Sequence, residues 1–321
     1  MPGLLSTAGT PSRTTEPRQA SSACDACNSP LFFVEKRLRN QKLASKHSMG
    51  HWDPKLPVTS SLEPAWDPDA KVCYRDALQA LLNSGPPFVV GGAFAIHRHT
   101  GIWRATKDID FFLRPADVPQ AHRVLESAGF DTWVEDPVWL AKASRGEHFV
   151  DLITGVGNAS LTIDQSWIDG GVPESVLGVQ CRVLGPEECL ASKAFVAFRE
   201  RFDGADVVHL IRACGPTLNW NRILELMGSH WELLYWSLIL FAYVYPAHPD
   251  RVPEWVWEDL TRRFTEVRRN PDRNAPFRGS LVDPRMFAID VDDWGERNVY
   301  QEYCENHPSP LQTEDTVGST E

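Results

Sequence analysis

The stretch that most restricts what this chain can become is Phe88–Leu113, FVVGGAFAIHRHTGIWRATKDIDFFL, taken together with HFVDLI at His148–Ile153. An apolar strand runs into Gly91-Gly92 and a short helical run. A second strand then carries Asp108 and Asp110, two apart, and a third carries Asp151. Side chains alternate across a strand. Asp108 and Asp110 therefore share one face, while Ile109, Phe111 and Leu113 share the other and turn to a core. Two carboxylates on one face, joined by a third from elsewhere, form an oxygen-rich set suited to Mg²⁺. A diglycine before a helix start lets phosphate oxygens approach backbone N–H groups. Together these features point to phosphoryl transfer from a nucleotide.

Length and charge narrow the classes. The chain has 321 residues, 42% of them hydrophobic and 23% charged, and a formal net charge of −11. It is long enough to bury a substantial core in one or two domains. The negative balance argues against a general nucleic-acid coat but leaves room for a local basic patch. Seven cysteines, an odd number in a chain too long to need disulfide staples, suit a reducing cytosol. Met1–Ala20 lacks the apolar core of a secretory signal. Leu233–Tyr245 is the longest apolar run and falls short of the roughly 20 residues that span a bilayer, so it reads as a buried helix and no membrane partner is expected.

Along the chain, residues 1–66 are polar and basic and read as a disordered tail. Cys24 and Cys27 form a lone CxxC without a second ligand pair, which favours free thiols over a zinc ribbon. Order is expected to begin near Asp67, with a helix over Tyr74–Ser84 stopped by Gly85-Pro86-Pro87. Strands are expected at Phe88–Val90, Asp108–Leu113, Phe130–Glu135, His148–Ile153 and Val176–Leu184, the last with a turn at Gly178 inside or beside it, and a helix is expected at Pro115–Ala128. Pro186-Glu187-Glu188 opens a helix expected to reach Phe202. Further helices follow at Val207–Cys214, Trp220–Met227, Trp231–Tyr245 and Pro253–Val267. Met286–Val291 reads as a short β-like piece, and 308–321 as a polar tail. The expected organisation is an α/β domain over 67–185 and a mainly helical domain over 186–307.

Taken singly, each chemical signal is weak; their order raises the odds. Fifteen residues separate Gly92 from Asp108, and Asp151 follows Asp110 by forty-one. Asp151 sits between Val150 and Leu152, in a strand where a lone buried carboxylate is expensive unless a cation partners it. Lys193 lies in an apolar helical stretch, CLASKAFVAF. It either snorkels its charge outward or aims it at phosphates. Asp203 reads first as a helix N-cap, and Asp206 is left open between capping and nucleotide binding. Arg199 and Arg201 read as solvated or paired with Glu200 and Asp203. His97-Arg98-His99 reads as a solvated face rather than a metal site. The Trp and Tyr cluster over 231–257 reads as helical core. The six arginines of Arg262–Arg278 read as surface, and they are also the best candidate for an RNA contact.

At this level the sequence resembles the DNA polymerase β-like nucleotidyltransferase superfamily, whose motif is a Gly-Gly or Gly-Ser, a DxD pair and a later acidic residue. Gly91-Gly92, Asp108-Ile-Asp110 and Asp151 follow that order. Arg104-Ala-Thr106-Lys-Asp108-Ile-Asp110 is similar to a motif of bacterial proteins related to AbiEii-type toxins, as is Lys193 with the later Asp206. The resemblance covers roughly residues 85–215. It implies an α+β fold, a mixed sheet flanked by helices, with a helical C-terminal domain. It also implies an enzyme that moves a nucleoside monophosphate from an NTP to an acceptor hydroxyl, releasing pyrophosphate. Asp108, Asp110 and Asp151 would be catalytic and would hold two Mg²⁺ ions, with Mn²⁺ an alternative. Asp151 would also accept the acceptor's proton. Gly91, Gly92, Thr106, Lys193 and Asp206 would bind the nucleotide. RNA (tRNA included), a protein or a small molecule are the acceptor classes, and a cognate antitoxin is the implied protein partner. The rivals are an inactive nucleotide-binding or antitoxin-like protein and an adenylyltransferase acting on an antibiotic.

Overall fold

In the computed structural model the chain divides into two units, Met1–Leu56 and Pro57–Glu321. The structure describes residues 59–60, 65–104, 106–156, 160–199 and 201–306, all in the second unit. The expectations for Cys24 and Cys27, for most of the N-terminal tail and for 308–321 lie outside the described residues.

Seven strands form the central sheet. In spatial order they are β10 (Val172–Val176), β11 (Val179–Val183), β2 (Val89–Val90), β4 (Asp108–Phe112), β7 (His148–Ile153), β6 (Leu140–Arg145) and β5 (Asp131–Asp136). The β11–β2 and β4–β7 pairs are parallel and the others antiparallel, so the sheet is mixed. One face is apolar because alternate residues of the middle strands are: Ile109, Phe111, Ala141, Ala143, Val150 and Leu152 are fully buried. Two helices lie against it, α1 (Pro68–Ser84) and α3 (Val118–Ser127). Asp67 caps α1 by accepting the Asp69 N–H at 2.9 Å, and Gly85 ends it. Each large apolar side chain buried here contributes about 1.5–3 kcal/mol relative to exposure. The opposite face carries Asp108, Asp110 and Asp151.

The segment between the glycines and the acidic strand is structured. Helix α2 (Gly92–Thr100) ends at Gly101, and strand β3 (Trp103–Arg104) pairs with β1 (Thr59–Ser60). Trp66 stacks on Phe94 at 5.5 Å and meets Trp103 edge-on. Order thus extends upstream of Asp67, where a disordered tail was expected. His97 stacks on Trp103 at 4.0 Å, His99 bonds the Leu184 carbonyl at 2.8 Å, and Arg98 pairs with Glu174. The His-Arg-His run is packed against its neighbours, not simply solvated.

Beyond the sheet come α5 (Pro186–Ala194), α6 (Gly204–Cys214), α7 (Trp220–Met227), α8 (Trp231–Val244) and α9 (Glu254–Arg269), with α4 (Gln165–Asp169) before β10. Helices α5 and α6 pack on each other and on α2. Three expectations are corrected. Helix α5 stops at Ala194 rather than Phe202, because the chain turns back and Ala197 bridges to Phe202. The strand expected over Val176–Leu184 is shorter, Val179–Val183, and the turn expected at Gly178 is the hairpin turn Leu177-Gly178 that joins it to β10, both residues having positive φ. Met286–Val291 is not β-like; Ala288–Asp292 forms a short helix after a turn capped by Asp283. The apolar run at Leu233–Tyr245 lies in α8, burying Leu234, Leu238 and Phe241 but exposing Trp236, Ile239 and Tyr243. Among the described residues no helix is long and apolar enough to cross a membrane.

Candidate active site

The acidic face is built by register. In the parallel β4–β7 pair Asp110 stands opposite Asp151, and in the antiparallel β6–β7 pair Asp151 stands opposite Lys142. One row across three strands therefore reads Asp110, Asp151, Lys142. Thr106, just before β4, donates its hydroxyl to Asp108 Oδ1 at 2.6 Å and so fixes that carboxylate's orientation. This gives Thr106 a role in placing the acid.

Gly92 lies directly on Asp110. It has φ of +54°, and a Cβ there would collide with the Asp110 carboxylate. Only glycine meets both conditions. A Cβ on Gly91 would strike the Phe112 ring, and the Gly91 N–H already donates to the Asp110 carbonyl at 2.9 Å. The donors left for an anion are the first-turn N–H groups of α2, from Gly92, Ala93 and Phe94, which have no partner within their own helix.

Charge on this face is out of balance. Burial, then the neighbouring Asp108 and Asp151 charges, push Asp110 up to about 7 from an ordinary 3.8. Burial likewise raises Asp151, with Lys142 working against it. Burial, and then the Asp108 charge, raise the pKa of the Tyr74 hydroxyl on α1. A pair of carboxylates two residues apart on one strand face offers oxygen ligands to a hard cation. Asp108 and Asp110 fit that role. Asp151 fits it less well, because Lys142 Nζ holds its Oδ1 at 2.6 Å. Among the described residues no three His, Cys, Asp or Glu side chains are grouped so as to hold an ion.

A second charged cluster adjoins the first. Lys193 of α5 pairs with Asp203 at 2.7 Å and Asp206 at 3.3 Å; Asp206 also pairs with Arg104 of β3 at 2.9 Å, and Asp203 with Arg201 at 3.0 Å. Burial works against the charge of Lys193, but the two carboxylates outweigh it and raise its pKa. Asp203 stands at the N-cap position of α6, yet its side chain makes no capping bond, so the capping role expected for it is corrected. Lys193 and Arg201 together outbid the helix N–H groups for its oxygens. Lys193 does not snorkel to solvent: only 11% of its side chain is exposed, against 64% for Arg201. Both cations stand near enough to Asp110 to lower its proton affinity. Arg201 is paired with Asp203 as expected, whereas the Arg199 backbone N–H is taken by Asp283.

Sequence reading missed Lys142, and it quoted Arg104 in the motif before Asp108 without giving it a partner. Lys142 lies in β6, LAKASR, whose alanines gave a weak strand signal. The turn at Gly146-Glu147 was the available clue. Pairing Arg145 with His148 across it sets Lys142 opposite Asp151.

Residues 70–225 match a family model described as a nucleotidyl transferase of unknown function. That segment is just under half of the chain, and the description agrees with the polymerase β-like resemblance of the Gly-Gly and DxD motifs. A search of the curated proteins finds no match. Among solved structures the chain is similar to the antibiotic-resistance factor ANT(2'')-Ia, with 18% identity over 56% of this chain and 99% of that one, at a TM-score of 0.37. The lincosamide antibiotic adenylyltransferase LnuA gives 13% identity over 44% and 94%, at 0.31. The Megavirus polyadenylate synthase gives 14% over 62% and 40%, at 0.32. None of these likenesses is close enough to carry a substrate or a residue role to this chain.

Proposed function

We propose that this nucleotidyltransferase moves a nucleoside monophosphate from an NTP to an acceptor hydroxyl, with Asp108, Asp110 and Asp151 as its catalytic carboxylates. The observation that carries this reading is the contact of the Gly92 backbone with the Asp110 carboxylate, which sets an anion-binding helix start beside a cation-binding acid pair. A divalent cation held by Asp108 and Asp110 would neutralise triphosphate charge and make the acceptor hydroxyl more acidic.

The chain's own residues do the rest. The first-turn N–H groups of α2 bind phosphate oxygens. Arg201, mostly exposed beside Asp110, adds a cation on the same side. Thr106 keeps Asp108 turned to the site. The Asp151 oxygen not held by Lys142 accepts the acceptor's proton as its oxygen bonds to the α-phosphorus; the bond from that phosphorus to pyrophosphate breaks in the same displacement. Placement and charge neutralisation supply most of the rate. Lys193 and Asp206, expected at the nucleotide, serve it through the α5–α6–β3 framework they tie together. The α/β part over 67–185 carries the chemistry, and the helical part over 186–307 selects the acceptor.

The test is incubation with labelled NTPs, Mg²⁺ and a panel of tRNA, protein and small-molecule acceptors. Transfer by the wild type is expected, with loss of at least about 10³-fold in the Asp108→Ala/Asp110→Ala variant. Equal labelling by the two proteins would sink the reading.

A further inference from the structure

Lys142 is the one cation set into the acidic row, and the charges there suggest why. Its ammonium lies 2.6 Å from Asp151 Oδ1, with 21% of the lysine side chain and 13% of the aspartate side chain exposed. The bond is charge-assisted and partly removed from solvent, so separating the two leaves an uncompensated charge on each. The antiparallel register holds both residues in regular strands on the same row. A dication bound at Asp151 would have to displace the ammonium or sit against it. Three carboxylates are balanced by one ammonium and one dication; a second dication would leave the row with excess positive charge.

We propose that Lys142 is a positioning residue that occupies Asp151, so that the protein without nucleotide holds a single divalent cation, on Asp108 and Asp110. This rests on the nucleotidyl-transfer reading of the carboxylates and departs from the two-ion expectation of the sequence. One oxygen of Asp151 is thereby fixed by Lys142 and the other is left for the acceptor. An arginine at 142 would preserve the arrangement, whereas an uncharged side chain would release Asp151 as a ligand.

The experiment is a Mn²⁺ titration of the full chain without nucleotide, read by electron paramagnetic resonance, with thermal melts confirming that each variant is folded. One Mn²⁺ per chain is expected, weakened at least about 10-fold in Asp108→Asn and retained in Asp151→Asn. Lys142→Met is expected to gain a second Mn²⁺, and Lys142→Arg to keep one. Two ions on the wild type, loss of the single ion in Asp151→Asn, or unchanged stoichiometry in a folded Lys142→Met would overturn the proposal. Should Lys142→Met fail to fold, the Asp151→Asn titration decides alone. Absence of Mn²⁺ binding, or binding indifferent to Asp108→Asn, would overturn the metal role of the acid pair itself, an outcome distinct from a count of two.

Discussion

Two charged clusters meet in this molecule, and they are balanced differently. On the sheet face, Asp108, Asp110 and Asp151 have one ammonium among them, that of Lys142. Beside them, Asp203 and Asp206 are gripped by three cations, Lys193, Arg201 and Arg104. In the first cluster burial, with little positive charge to offset it, makes Asp110 and Asp151 hold protons more tightly than usual; the second has a full complement, and Asp203 holds its proton less tightly. A charged residue in a motif can thus be either unoccupied or already committed. Lys193 had the composition of a phosphate ligand, but its two carboxylates make it a tie between helices. The cluster that lacks a cation is the one proposed to take one up.

The sharpest way to break this contrast is Lys193→Met. If Lys193 is a tie, its loss withdraws the cation shared by two buried carboxylates, leaving each with one arginine, and costs about 3 kcal/mol in urea-induced unfolding. Activity should fall with the folded fraction. A variant that unfolds like the wild type yet no longer transfers nucleotide would place Lys193 on the substrate instead, and the two clusters would share one role.

A mutation inside the acidic cluster should act on chemistry more than on the fold. Gly92→Ala forces the backbone off φ +54° or pushes the Asp110 carboxylate aside. A displacement near 1 Å at a catalytic group costs about 10²-fold in rate. Transfer assays and Mn²⁺ affinity should fall together. Full activity in Gly92→Ala would mean that the contact with Asp110 is dispensable.

The legibility of the two clusters from sequence differed for a physical reason. Asp108 and Asp110 declared themselves because strand alternation sets a DxD on one face whatever the tertiary context. The mixed sheet with flanking helices was legible for the same reason, through runs such as Phe88–Val90 and His148–Ile153. The pairings of Lys193 with Asp203 and Asp206, and of Asp206 with Arg104, were not legible, because they depend on how α5 and α6 close against β3 after the chain turns back at Ala197–Phe202. Local capping rules gave Asp203 the wrong partner, since they count only backbone donors and not cations arriving from other elements. Lys142 lay between these cases. Its place opposite Asp151 followed from a hairpin register, but an alanine-rich strand concealed the hairpin.

Lys142→Met should cost less than Lys193→Met, about 1–3 kcal/mol, because it withdraws the ammonium from one carboxylate rather than two and that one is nearer solvent. Mg²⁺ should recover much of the loss in thermal melts, by taking the place the ammonium leaves. No recovery with Mg²⁺ would show that Asp151 cannot act as a ligand even when free. The charge shortage would then end at Asp108 and Asp110.

The smallest expected effect, and the most direct reading of the shortage, is the pH dependence of stability without metal. Asp110 titrates near 3.8 in an unfolded chain and up at about 7 in the folded one. Between those values the unfolded state binds fewer protons than the folded state. Stability therefore falls as pH rises from about 4 to about 7, and is flat above. Asp203, shifted the other way, loses its contribution only as pH drops below its ordinary value, outside this window. His99, His122, His209 and His230, whose buried rings favour the neutral form, oppose the trend below about 6.5. Comparison with Asp110→Asn cancels them, because both proteins carry all four. Melting curves in EDTA from pH 5 to 8 should show the wild type losing ground to Asp110→Asn as pH rises. Mg²⁺ at pH 8 should restore the wild type and leave the variant little changed. A constant gap between the two proteins would mean that Asp110 is already compensated by Lys193 and Arg201, and that the acidic cluster is as balanced as its neighbour.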